Sequence, residues 1–132
     1  MSDTTIKKIL EMKTIAIVGL SPNETRPSYG VAKYLLGQGY TIIPVNPGHM
    51  EILGQRSYPS LAEIPEPIDI VDVFRRPEHV VPIAQEAVAV GAKAFWLQLG
   101  IVNDDAIKIV EDAGLWAVQN RCLKIEHARL LL

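Results

Sequence analysis

Ile15-Ala-Ile-Val-Gly-Leu-Ser-Pro-Asn-Glu-Thr-Arg-Pro-Ser-Tyr-Gly30 decides the fold: an apolar strand, a polar loop with one arginine, then a helix start. Thr14–Val18 is β-branched and apolar enough to be buried on both faces, as an interior strand of a parallel sheet must be. Gly19 ends it without a Cβ, so another group can approach the backbone closely. Pro27 and Ser28 suit the first turn or the cap of a helix predicted over Tyr29–Gln38. The free N–H groups of such a helix, aided by its dipole, form a site for phosphate. Arg26 stands beside that site with a charge-assisted fork. The stretch reads as a nucleotide-binding turn.

Outward from it, strand and helix alternate along the whole chain. A short helix is predicted over Thr5–Met12, capped by Asp3 or Thr4. Gly37 and Gly39 break the helix after the opening strand, Thr41–Val45 is the second strand, and Asn46-Pro-Gly48 stops it. Glu51–Tyr58 is ambiguous and reads at most as a short edge strand. Ser60 caps a single helical turn that ends before Pro65. Ile68–Phe74 is a strand followed directly by Arg75-Arg76-Pro77. Glu78–Val90 is a helix with a restart at Pro82. Ala94–Leu97 is a strand, Asn103 caps a helix over Asp104–Ala113, Trp116–Gln119 is the last strand, and Lys124–Leu132 is a closing helix. Helices of this length between buried strands imply crossovers and a sheet covered on both faces. The fold class is therefore α/β: a doubly wound three-layer sandwich with a mainly parallel sheet of five or six strands.

The 132 residues fit one domain, residues 1–132, with room for a sizeable core. No apolar run reaches the roughly 18 residues of a membrane helix. The start, Met1-Ser-Asp-Thr-Thr-Ile-Lys-Lys, has no signal-peptide pattern, so no membrane association is expected and the cytoplasm is the default compartment. Cys122 is the only cysteine, which excludes an internal disulfide and a cysteine-rich zinc site. His49, His79 and His127 are too scattered to suggest a metal. A formal charge of −2 argues against generic nucleic-acid binding.

In a doubly wound sheet, ligands bind beyond the carboxyl ends of the strands, at the switch point. The residues after each strand give that rim: Gly19–Arg26, Asn46–His49, Arg75–Pro77, Gln98–Gly100 and Asn120–Cys122. Four of the six arginines (Arg26, Arg75, Arg76, Arg121) lie there on a chain that is acidic overall. Exposed loops attract solvated charge in any protein, but arginine forks and a phosphate-type turn at one edge point to a polyanionic small molecule. A dinucleotide fingerprint wants Gly-x-Gly-x-x-Gly and an acid ending the second strand. Here Gly19 is followed by no glycine until Gly30, and the second strand ends in Val45-Asn46, so both features count against NAD. No Gly-Lys-Ser/Thr follows a glycine-rich run, so ATP hydrolysis is unsupported.

Ile17-Val-Gly-Leu-Ser-Pro22, Arg26-Pro-Ser-Tyr29, Ile43-Pro-Val-Asn-Pro-Gly48, Val71-Asp-Val-Phe-Arg-Arg76, Trp96-Leu-Gln-Leu-Gly100 and Arg121-Cys-x-Lys-Ile-Glu126 together resemble the small, stand-alone CoA-binding protein family. That family is similar to the nucleotide domain of the succinyl-CoA synthetase α-subunit. The resemblance spans nearly the whole chain and implies a Rossmann-like fold with coenzyme A as cofactor at the rim. By the same resemblance, Gly19, Leu20 and Ser21 line the pyrophosphate turn, with Arg26 and Ser28 nearby. Val45, Asn46 and Pro47 match the loop that holds the nucleotide end. Phe74, Arg75 and Arg76 border the adenine and its phosphorylated ribose, and Gln98 and Leu99 lie along the pantetheine path. Asn120 and Leu123 depart from the family's usual acid and proline.

Single residues carry two readings each. Cys122, beside Arg121 at a helix start, is either a stabilised thiolate within reach of the coenzyme thiol or a small buried hydrophobe. Tyr29 either covers the ligand or packs in the core. Asp72, inside a buried strand, is expected to accept bonds from a neighbouring loop or to face a helix end, whereas Asp69 begins that strand away from the rim. Trp96 and Trp116 read as packing residues. No Ser–His–Asp, Cys–His or metal constellation is present, so no catalytic residue is assigned. The expectation is a non-catalytic binder of coenzyme A or acyl-CoA. The alternatives are an NAD(H) or other adenine-nucleotide sensing module, and a small acyl-CoA enzyme or subunit of a CoA ligase using Cys122 or Asp72. The apolar tail Leu130-Leu-Leu132 leaves a protein partner or a homo-oligomer open.

Overall fold

Five short parallel strands, buried except at Thr14, Thr41 and Trp116, which open three of them, form the middle layer of the protein, whose computed structural model describes residues Met1–Leu132. They are β1 (Thr14–Val18), β2 (Thr41–Val45), β5 (Ile70–Val73), β6 (Ala94–Leu97) and β7 (Trp116–Val118), in the order β2-β1-β5-β6-β7. A separate antiparallel hairpin, β3 (Glu51–Ile52) and β4 (Gln55–Arg56), stands beside β2. The helices are α1 (Asp3–Leu10), α2 (Pro27–Gly37), α3 (Val80–Ala89), α4 (Asp104–Asp112) and α5 (Leu123–Leu131). No helix is long and apolar enough to cross a membrane.

Side chains alternate across the sheet and divide the core in two. Ala16, Val18, Val71, Val73, Phe95 and Leu97 pack with α3 and α4. Ile15, Ile17, Ile70, Ala94 and Trp96 pack with α1, α2 and α5. This is the doubly wound, Rossmann-like three-layer sandwich that the alternating pattern predicts, with five strands in the sheet. Arg129 closes the second layer by pairing with Asp3 of α1 at 2.9 Å and with Glu126 at 2.5 Å.

Several boundaries differ from the sequence expectation, each for a local reason. Ser2, rather than Asp3 or Thr4, caps α1, its Oγ accepting the Thr5 N–H at 3.3 Å. The stretch Glu51–Tyr58 is no single edge strand: Leu53 and Gly54 turn with positive φ, and only Tyr58 bridges back to Val45. Pro82 restarts nothing, because it occupies the first turn of α3, where a missing N–H costs little. The change of helix type comes earlier, after a 3-10 turn over Pro77–His79.

The chain leaves β1 for β2 on one side and later returns to β5 on the other. The switch point therefore lies between the carboxyl ends of β1 and β5.

Candidate functional site

The turn after β1 is folded in advance by its own side chains. Gly19 has φ of +87°, and a Cβ there would overlap the Phe74 carbonyl oxygen and stand 2.9 Å from Arg75 Cδ. The group that approaches Gly19 is thus the protein's own loop after β5, and no other residue lets the two loops touch. Ser28 is buried within α2 rather than capping it, and its Oγ accepts the Ser21 N–H at 3.0 Å. Ser21 Oγ in turn accepts the Asn23 N–H at 3.1 Å, and Asn23 Oδ1 accepts the Thr25 N–H at 3.0 Å. Arg26 is the N-cap of α2 without a capping side-chain bond, Pro27 follows it in the first turn, and no acid sits in that turn. The positive end of the helix is left open.

A cavity of about 490 Å³ lies at this switch point. Gly19, Ser21, Arg26, Pro27 and Ser28 form one side, and Phe74, Arg75, Arg76, Pro77 and Ile101 form the other. Arg26, Arg75 and Arg76 are exposed and have no carboxylate partner. Arg121 departs from the four-arginine rim read in the sequence, because Glu126 holds it at 3.1 Å. A second cavity of about 300 Å³ opens at the end of β2, lined by Asn46, Pro47, His49, Met50, Arg56 and Ser57 among others. Asn46 fixes its wall, donating from Nδ2 to the Leu20 carbonyl at 3.0 Å and accepting the Gly48 N–H at 2.9 Å. The Arg56 guanidinium lies 5.1 Å from the centroid of the Tyr58 ring.

The remaining candidates lie outside both cavities. Leu20 is fully buried in the α1, α2 and α5 layer, and Val45 is buried in the opposite one. Their backbones alone serve the rim: the Val45 carbonyl accepts the Gly19 N–H at 2.9 Å. Gln98 is buried and its Oε1 accepts the Leu123 N–H at 3.1 Å, which fixes the start of α5. Tyr29 is half-buried and Leu99 is 63 % exposed, and neither lines either cavity. Cys122 is half-buried at the N-cap of α5 and packs against the core. Trp96 is a packing residue as expected, whereas Trp116 is exposed at the far edge. Sequence reasoning placed His49 and Pro77 on the rim without giving them a contact, and did not bring Pro27, Ile101 or Arg56 to the ligand. Pro27 directly follows Arg26 and Pro77 directly follows Arg76, which was a signal for the prolines, but Arg56 comes to the rim only because the hairpin folds back on β2.

Asp72 corrects one of its two expected readings, the bonds from a neighbouring loop. It lies in register with Ile17 and Trp96, fully buried, and neither carboxylate oxygen accepts a hydrogen bond from a neighbouring loop. The donors on that side are already engaged: Trp96 Nε1 donates to the Arg121 carbonyl at 2.8 Å, and the Leu123 N–H goes to Gln98. Burial pushes the Asp72 carboxyl well above the usual carboxylate range, with the Val73 backbone N–H opposing the shift. Asp69 behaves as a structural anchor at the other end of β5. Its burial would raise its pKa, but the N–H groups of Thr14 and Lys13 and the Lys93 ammonium hold it below the usual value.

Comparison with known proteins places this geometry among relatives. The family described as CoA binding domain matches residues 13–128. Protein YneT of Bacillus subtilis is 44 % identical over 128 residues, covering 96 % of this chain and 95 % of that protein. Acetate–CoA ligase (ADP-forming) I of Archaeoglobus fulgidus is 27 % identical over 138 residues, which is 96 % of this chain but 20 % of the ligase. Among solved structures, a hypothetical protein from Pyrococcus horikoshii superposes with a TM-score of 0.97 at 43 % identity, covering 100 % of this chain and 94 % of that one.

Proposed function

This chain belongs to the CoA-binding domain family, and from that premise we propose that it is a non-catalytic binder of coenzyme A or acyl-CoA at the switch point of the sheet. One observation carries the reading: three unpaired arginines and the open start of α2 converge on a single cavity in a molecule of net charge −2. The pyrophosphate lies against Gly19, Ser21 and the first turn of α2, where the Ser28 N–H has no acceptor within the protein. Arg26, Arg75 and Arg76 supply forked donors to its oxygens, so that Arg75 and Arg76, which the family resemblance assigns to the phosphorylated ribose, serve the pyrophosphate beside which they stand. The adenosine end turns towards Asn46 and Pro47 in the second cavity, where Arg56 brings a further cation to the phosphorylated ribose. Phe74 offers its apolar face beside the ligand.

The arrangement binds and orients; it positions no acid, base or nucleophile against a reacting atom, and we assign it no chemical step. The likeness to one fifth of a ligase favours one second reading, a CoA-holding subunit whose chemistry is completed by another protein.

Calorimetric titration with coenzyme A, dephospho-CoA and NADH tests the proposal. Coenzyme A is expected to bind best, and Arg75→Ala or Arg76→Ala to weaken it by about 1.5–3 kcal/mol each, the worth of one hydrogen bond to a charged group. Arg56→Ala is expected to erase the preference for coenzyme A over the dephospho form. Unchanged affinity in all three variants would remove the arginines from the site. Turnover of an acyl-CoA by the protein alone would replace the non-catalytic reading with an enzymatic one.

A further inference from the structure

We propose that the loop after β6 is a rest for an apolar acyl group, so that the protein prefers medium-chain acyl-CoA to free coenzyme A. This rests on the binding mode proposed above and names the form of the ligand that the site favours. The loop Leu99–Val102 places three branched apolar side chains in succession around one glycine. Ile101 lines the first cavity, and its neighbours along the chain, Leu99 and Val102, are 63 % and 47 % exposed.

A free loop would fold such side chains inward, because exposing them to water opposes collapse. This loop is held open instead. The Gly100 N–H donates at 2.8 Å to Oδ1 of Asn120, which is itself held at φ of +58°. The Ile101 N–H donates to the Gln98 carbonyl at 2.9 Å. The Asn103 N–H donates to Gln119 Oε1 at 3.0 Å, and its Nδ2 donates to the Pro77 carbonyl, in the cavity wall, at 2.9 Å. Gly100 within the apolar ridge and Asn103 just after it are therefore pinned to the residues that follow β7 and to the cavity wall.

The direction of the ligand supplies the occupant. A molecule with its pyrophosphate at Gly19 and its adenosine end over β2 has one course left for the other arm, across the tips of β5 and β6. That course leads past Ile101 to Leu99 and Val102. A bare thiol has nothing to bury there, whereas a hydrocarbon acyl chain has.

The test is calorimetric titration of the intact protein with coenzyme A, acetyl-CoA, butyryl-CoA and hexanoyl-CoA. A fully buried methylene strengthens binding about fourfold. Partial burial on an open ridge is expected to give on the order of tenfold between acetyl and hexanoyl. Val102→Ser is expected to lose at least half of that gain while leaving the affinity for free coenzyme A unchanged, and Leu99→Ser to lower the gain further. Equal affinity for hexanoyl-CoA and coenzyme A would overturn the acyl rest and leave the binding mode standing. A gain with chain length that survives Val102→Ser would place the chain elsewhere and equally overturn it. Failure of coenzyme A itself to bind would overturn both.

Discussion

At the residue scale, two positions are held against local preference. Gly19 combines a left-handed φ of +87° with contact to the Phe74 carbonyl, so its role is steric on two counts. Gly19→Ala is expected to cost about 2–4 kcal/mol of stability, because both the backbone strain and the displaced loop add to the penalty. Chemical denaturation measures the first effect, and loss of coenzyme A binding measures the second. Asp72 is the opposite case, a carboxyl with no partner in the middle of the core. Its pKa is raised by burial, so folding favours the protonated form while the unfolded chain ionises above about 3.8. Its contribution to stability is therefore complete below that value and is lost as the pH rises from there through the folded-state pKa. Asp72→Asn, neutral at every pH, is expected to be more stable than the wild type at pH 7, with the margin growing as the pH rises above the carboxylate range. The gap should close near pH 4. A wild type that outlasts the variant at pH 7 would mean that the carboxyl is ionised and paired in solution.

At the element scale, Asn103 joins two jobs. Its Oδ1 accepts the Ala106 N–H at 3.0 Å as the cap of α4, and its Nδ2 reaches the Pro77 carbonyl at 2.9 Å. Asn103→Ala is expected to lower stability by about 1 kcal/mol through the cap alone, read by thermal or urea unfolding. This cap was legible in the sequence, because an asparagine before two acids and an apolar run has few other meanings. The strands were legible for a similar reason: Thr14–Val18 and Ala94–Leu97 are too apolar to face water on either side. The hairpin was not, since β3 and β4 have two residues each and so carry no periodicity to read. Side-chain direction was the other gap. Leu20, Val45 and Gln98 lie within a residue or two of the rim, but a strand end points successive side chains to opposite layers. Which of them faces the cavity depends on the exact residue at which the strand stops. Arg56 was hidden behind the unread hairpin, and Arg121 was visible as an arginine but not as the partner of Glu126.

For the whole molecule, the decisive property is where charge sits rather than how much there is. The formal total is −2, which by itself repels an anion, yet Arg26, Arg75 and Arg76 line one cavity without a carboxylate among its residues. Such a cavity focuses a local positive potential that the net charge does not report. The switch point that gathers these residues follows from the topology: β1 and β5 are neighbours in the sheet but far apart in sequence, so their loops meet only once the order β2-β1-β5-β6-β7 has formed. The exposure of all three arginines leaves their field open to screening, since mobile ions shield charges over about 8–10 Å near physiological salt. Affinity for coenzyme A is accordingly expected to fall about tenfold or more between 0.05 and 0.5 M sodium chloride, on the order of what loss of one or two screened ion contacts costs. Dephospho-CoA, with less charge, should show a shallower slope, and Arg75→Ala a shallower slope again. Titration across a salt series checks this directly. A salt-independent affinity would mean that hydrogen bonds from the backbone of the turn, rather than the field of the arginines, hold the ligand.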